Sequence, residues 1–150
     1  MKITRFEDLK CWQEAMKLVN MVYDVIRKSP QFQRDFRLVG QITDAAGSSM
    51  RNIAEGFSQR SDKELIQFLF VLKSSATEVQ SEAYVALDQK YISEEEFQKI
   101  YNQAEKVSKM DRGLITYLLG NEKKPEKLNR PDEPNKPERL ERRNEPGKLE

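Results

Sequence analysis

Asn52, Glu55 and Gly56 stand at i, i+3 and i+4, so on a helix they share one face, with Ile53 and Phe57 beside them. An amide and a carboxylate so placed either present a polar ligand site or form an interhelix hydrogen-bonding pair that fixes register. Gly56 costs a helix about 1 kcal/mol against alanine, which points to close approach of another backbone or to the helix end. Basic residues offer a second chemistry. Arg27, Lys28, Arg34, Arg37, Arg51, Arg60 and Lys63 face four acids between residues 27 and 63, a local excess of +3. Arg34, Arg37, Arg51, Arg60 and Lys63, with Lys73, form a candidate phosphate-contacting set; the alternative is a solvated surface. Asp111 falls on an apolar seam between Val107 and Leu114 and needs a partner such as Arg51 or Arg112. Glu55, Glu78, Glu82 and Asp111 could approach a cation. Without histidine or a clustered acidic loop they lack a convincing donor set, and neither metal nor cofactor is expected.

The absence of histidine from all 150 residues removes Ser-His-Asp and Cys-His catalysis and His-ligated zinc. No nucleophile, base and orienting residue can be grouped, so no catalytic residue is assigned and an enzyme is not expected. The single cysteine, Cys11, excludes an internal disulfide. No charged-then-apolar leader and no 18-residue apolar run occurs, so a cytoplasmic protein without membrane contact is expected. A net charge of +1 gives the whole chain no polyelectrolyte character, and any charge-driven function must be local.

The elements that would position these residues are helices. Charged residues make up 34% of the chain and mean hydropathy is −0.80, but the polarity is uneven. Residues 121–150 hold five of the six prolines, no aromatic residue, and nine basic against eight acidic side chains, a segment expected to be disordered. Residues 1–120 carry the apolar residues at spacings of three and four, as in an all-α, antiparallel up-down-up-down four-helix bundle. The first helix has Leu9, Trp12, Met16, Val19, Tyr23 and Ile26 in register, opened by a capping box at Thr4–Glu7 and closed near Ser29–Pro30. The second runs from about Arg34 to Ser58 through Ile42, Ala46 and Ile53, after a loop from Ser29 to Phe36. The third opens at Ser61–Glu64, the fourth at Ser93–Glu96, and Gly120 is a plausible C-terminal cap.

Leu65 to Leu72 has seven apolar residues of eight, a wider stripe than a surface helix of a monomeric bundle buries. Phe68, Phe70 and Val71 are therefore expected partly at a subunit interface. The alternative is a thick core closed by the tail or by the loop before Phe36.

The string Ala45-Ala46-Gly47-Ser48-Ser49-Met50-Arg51-Asn52-Ile53-Ala54-Glu55-Gly56-Phe57, followed by Arg60-Ser61, Phe68-Leu69, Lys73-Ser74-Ser75-Ala76 and Glu78, carries a family resemblance. It resembles the four-helix bundle proteins encoded within intervening sequences of bacterial large-subunit ribosomal RNA genes, with similarity from about Phe6 to Leu118. The resemblance implies a homopentamer without enzymatic activity. It also implies a distant relation to the accessory proteins of diversity-generating retroelements, which bind nucleic acid and a reverse transcriptase through basic surfaces. Ser58 and Ser74 depart from that pattern, where glycine is expected. Asn52, Glu55 and Gly56 are matched positions whose implied role is packing and subunit contact. Two functions follow as expectations. One is a non-enzymatic homo-oligomer that binds structured RNA, a ribonucleoprotein or a nucleic-acid-processing protein through Arg34, Arg37, Arg51, Arg60, Lys63 and Lys73. The other is a protein-interaction scaffold with no nucleic acid, whose partner docks on the bundle or the proline-rich tail.

Overall fold

The computed structural model describes residues 4–58 and 61–121, apart from the side chains at 62, 111, 112 and 114–121. Arg60 and the tail after Asn121 lie outside the described residues. Every regular element among the described residues is helical: a 3-10 turn at Phe6–Asp8, then α1 (Lys10–Lys28), α2 (Pro30–Arg34), α3 (Phe36–Ser58), α4 (Asp62–Asp88) and α5 (Glu94–Asn121).

Side chains set most of the helix starts. The Ser93 hydroxyl accepts from Glu96 N at 3.1 Å while the Glu96 carboxylate accepts from Ser93 N at 2.9 Å, a complete capping box at α5. Ser61 makes the first half of the same device at α4, accepting from Glu64 N at 3.3 Å. The expected box at Thr4–Glu7 is not the start of α1. The N-cap is Leu9, which makes no side-chain capping bond, and the chain enters through the 3-10 turn. That entry is tied down by Gln13 donating to Glu7 O and by Phe6 packing edge-on against Trp12 at 5.3 Å. α5 continues through Gly120 to Asn121, so Gly120 is not its C-cap.

The expected loop after α1 contains a short helix instead. Ser29 accepts from Phe32 N at 3.2 Å and Pro30 occupies the first turn of α2, where its missing N–H costs nothing. α2 drives Phe32 fully into the core, where its ring stacks on Tyr91 at 5.3 Å. The turn from α4 to α5 is a Schellman motif. Tyr91 N donates to Ala86 O, Lys90 N donates to Leu87 O, and Lys90 takes the left-handed conformation at φ 61° that glycine adopts more cheaply.

The core divides into two clusters. Leu18, Val22, Val25 and Ile26 of α1 pack with Leu38 and Ile42 of α3, Val79, Ala83 and Ala86 of α4, and Phe97 and Ile100 of α5. Leu9, Cys11 and Ala15 pack with Ile53 of α3, Leu65, Leu69 and Leu72 of α4, and Val107 of α5. The buried apolar face of α1 is thus Cys11, Ala15, Leu18, Val22, Val25 and Ile26; of the expected register Leu9 and Ile26 are buried, Trp12 and Val19 half-buried, and Met16 and Tyr23 exposed. Two apolar stripes compete on this helix, about 100° apart. The smaller residues face inward, where Ala15 of α1 and Ala76, Ala83 and Ala104 of its partners let the helices approach.

Candidate functional site

Gly56 stands where α3 meets α4. A Cβ there would lie 2.7 Å from the Phe68 Cβ and 2.9 Å from a Leu65 methyl, so only glycine allows this approach. Phe68 is half-buried against α3 within the same chain, and Phe57 is half-buried against the second cluster. Asn52 donates to Ser48 O at 2.8 Å and to the Ser48 hydroxyl at 3.0 Å, and that hydroxyl lies 3.0 Å from the Ser75 hydroxyl of α4. Asn52 therefore reaches α4 through two serines. Glu55 is exposed, and no hydrogen bond joins it to Asn52 among the described side chains. Burial, followed by the charge of Glu78, raises the Glu82 carboxyl above its usual range. No group of three or more acidic or cysteine side chains converges among the described residues.

The basic residues are exposed and spread along the molecule. Arg34 ends α2 and Arg37 begins α3, at the end of the first core cluster, whereas Lys63 begins α4 at the other end and Lys73 lies further along that helix. Arg51 pairs with Asp44 at 3.2 Å; the side chain of Asp111, its other expected partner, lies outside the described residues. Between Arg34 and Arg37 the ring of Phe36 is 84% exposed. Asp35 forms no ion pair with these cations among the described side chains; its oxygens accept from Leu38 N and the Tyr91 hydroxyl, each at 3.1 Å. The bond to Asp35 raises the Tyr91 hydroxyl above its ordinary value.

Two apolar faces are left open. On α4, Leu65, Ile66, Leu69 and Leu72 are buried, but Phe70, Val71, Tyr84 and Val85 are exposed, with Ser74, Thr77 and Ser81 between them. On α1, Met16 and Tyr23 are exposed to a similar degree. α1 packs on α3 and α5, as α4 does, so α1 and α4 stand across the diagonal and their outer faces point away from each other.

One cluster escaped the sequence reading. Glu14 of α1 is only 1% exposed, and its carboxylate accepts from Gln103 of α5 at 2.8 Å and from Lys17 at 3.0 Å, with Lys106 at 3.4 Å and Lys10 at 3.8 Å. Gln103 also donates to Glu14 O at 2.9 Å. The bond from Gln103, helped by Lys17 and Lys106, outweighs burial and holds the carboxyl at about 2. The i, i+4 and i, i+3 spacing of Lys10, Glu14 and Lys17 was readable as exposed helix pairs; nothing local signals that Gln103 draws Glu14 inward.

Among solved structures, the chain is similar to a protein of unknown function from the S23 ribosomal protein family of Bacteroides thetaiotaomicron, at 23% identity and a TM-score of 0.59, over 71% of this chain and 94% of that one. That likeness concerns the fold. No curated protein matches the chain. Among the described residues no helix is long and apolar enough to cross a membrane. The model of the 23S rRNA-intervening sequence protein family matches residues 7–113, and the chain belongs to that family.

Proposed function

We propose that this chain is a non-enzymatic, cytoplasmic protein whose residues 1–120 form an up-down-up-down bundle that assembles into a closed homo-oligomeric ring and binds structured RNA. The split of the core supports the up-down order, since each cluster takes opposite halves of successive long helices. The two open faces support the ring. Patches that differ and lie on opposite sides of a subunit join head to tail, and such heterologous contacts generate a ring where the rotation between subunits closes, and an open filament where it does not. Five subunits is the number implied by the family resemblance. Residues 121–150, with their prolines and mixed charge, are a disordered tail on this reading.

The observation that carries RNA binding is Phe36 between Arg34 and Arg37. An aromatic ring flanked by arginines suits a base stacked on the ring with its phosphates on the guanidiniums. Arg51, Arg60, Lys63 and Lys73 are further phosphate contacts, multiplied around a ring. The test is binding of labelled ribosomal RNA fragments over a salt series, with particle mass from light scattering on the same sample. A multi-subunit particle whose affinity falls steeply with salt is expected. A monomer would refute the ring. An intact oligomer that binds no RNA at low salt would refute RNA binding and leave the scaffold reading.

A further inference from the structure

Three ammonium groups converge on one buried carboxylate where α1 meets α5. Lys10, Lys17 and Lys106 each lie within 4 Å of a Glu14 oxygen, and among the described side chains none of them pairs with any other acid. Their own side chains are more than half exposed, while Glu14 is shut away from solvent beneath them. One negative charge against three positive leaves a local surplus of two. Glu105, the nearest acid in sequence to Lys106, is turned towards Gln80 and Lys109. Only one cation is needed to balance a buried carboxylate, so the other two are surplus to the packing of the bundle.

The arrangement suits a chain of phosphates. Because all three ammonium groups lie within 4 Å of the two oxygens of one carboxylate, they stand no more than about 9 Å apart, a width that meets about two successive phosphates of one strand. The carboxylate also holds the lysines partly ordered before a ligand arrives, which lowers the entropy lost on binding. Each ammonium has three donors, and no more than one is engaged by Glu14.

We propose that Lys10, Lys17 and Lys106, gathered on the buried Glu14 carboxylate at the α1–α5 seam, form a binding site for the phosphate backbone of RNA. This rests on the reading that the chain binds RNA, and it adds a site apart from Phe36 and from the six basic residues named above.

The full chain is titrated with a labelled RNA hairpin over a salt series, and separately with inorganic tripolyphosphate while the lysine resonances are followed by NMR. The variants are Lys10→Gln, the triple Lys10→Gln/Lys17→Gln/Lys106→Gln, and Lys99→Gln, whose target on α5 pairs instead with Glu95. Each of the two surplus charges removed should lower the slope of log affinity against log salt by about 0.9, so the triple variant loses nearly 2 and Lys99→Gln loses much less. Tripolyphosphate should shift the three lysine signals together, and Lys10→Arg should keep the wild-type slope. Lys10→Gln guards against misfolding, because Lys10 is the most distant of the three from the carboxylate. A hairpin bound by the triple variant with the wild-type slope overturns the site while leaving RNA binding intact. Wild-type chain that binds tripolyphosphate but not the hairpin overturns the RNA assignment. A chain that binds neither overturns the site together with the reading beneath it.

Discussion

Replacing Glu14 by glutamine should destabilise the protein by about 2 kcal/mol at neutral pH and by almost nothing near pH 2. The carboxyl is held at about 2 against an ordinary 4.5. At about 1.4 kcal/mol per unit that gap corresponds to roughly 3 kcal/mol. Part of it comes from lysines that are more than half exposed, whose share is screened, so about 2 kcal/mol remains. Glutamine keeps the shape and one acceptor for Gln103, but turns a charge-assisted bond into a neutral one. The sign follows from the depressed value in the folded state. The stabilisation is fully present above about 4.5 and is lost as pH falls towards 2, because the proton then binds the unfolded chain first. The assay is urea unfolding of wild type and variant from pH 7 to pH 2.5, at one protomer concentration because assembly couples to stability. A loss of about 2 kcal/mol corresponds to a fall in melting temperature of roughly 8 °C. A deficit as large at pH 2.5 as at pH 7 would assign the cost to packing and refute the reasoning. A deficit below about 0.5 kcal/mol at pH 7 would show that the buried charge contributes nothing.

Gly56→Ala should lower stability by about 1–3 kcal/mol despite the better helix propensity, because the new methyl meets the Phe68 Cβ, whereas Gly40→Ala, with nothing within 4 Å, should raise it by about 0.5–1 kcal/mol; paired thermal melts check both. Lys90→Gly should stabilise the α4–α5 turn by about 1 kcal/mol in urea unfolding, since glycine adopts its left-handed conformation without strain. Phe70→Glu should reduce the particle to smaller species in light scattering while leaving helicity by circular dichroism unchanged, because Phe70 is half exposed in the single chain. Phe36→Ala should weaken single-stranded RNA binding by about 1–3 kcal/mol with little change in salt slope, whereas Arg34→Gln with Arg37→Gln should change the slope.

Long helices were legible in the sequence because their apolar residues repeat over several turns, and the serine-led starts at Ser61 and Ser93 fall where expected. What was not legible turned on partners distant in the chain. The spacing of α1 fits two faces, and the choice between them depends on residues such as Gln103, which lies 89 positions from Glu14. α2 has only five residues, too few for a periodic signal, and the Ser29-Pro30 pair that ends α1 also begins α2. Gly56 could be read as a close approach, but not as an approach to Phe68. The Leu65 to Leu72 run signalled surplus apolar surface. Which of its residues would face out depended on α4 packing against both α3 and α5, which leaves Phe70 and Val71 exposed and Phe68 half-buried.

The two proposals constrain each other through the geometry of α1. With about 100° between successive residues, Met16 and Tyr23 stand on one flank of the buried face, and Lys10 and Lys17 stand on the other, towards α5. A ring that covers Met16 and Tyr23 with the α4 face of a neighbour therefore has room to leave the lysines open. Each subunit then repeats its cations at a fixed interval, and phosphate contacts multiply with subunit number. Phe70→Glu separates these effects on one sample. If the dissociated chain keeps the per-subunit contact with tripolyphosphate but loses RNA affinity, the lysine site belongs to the single bundle and the ring supplies avidity. If tripolyphosphate binding disappears with the ring, the site is shared between subunits, and the assignment to Lys10, Lys17 and Lys106 of one chain is wrong.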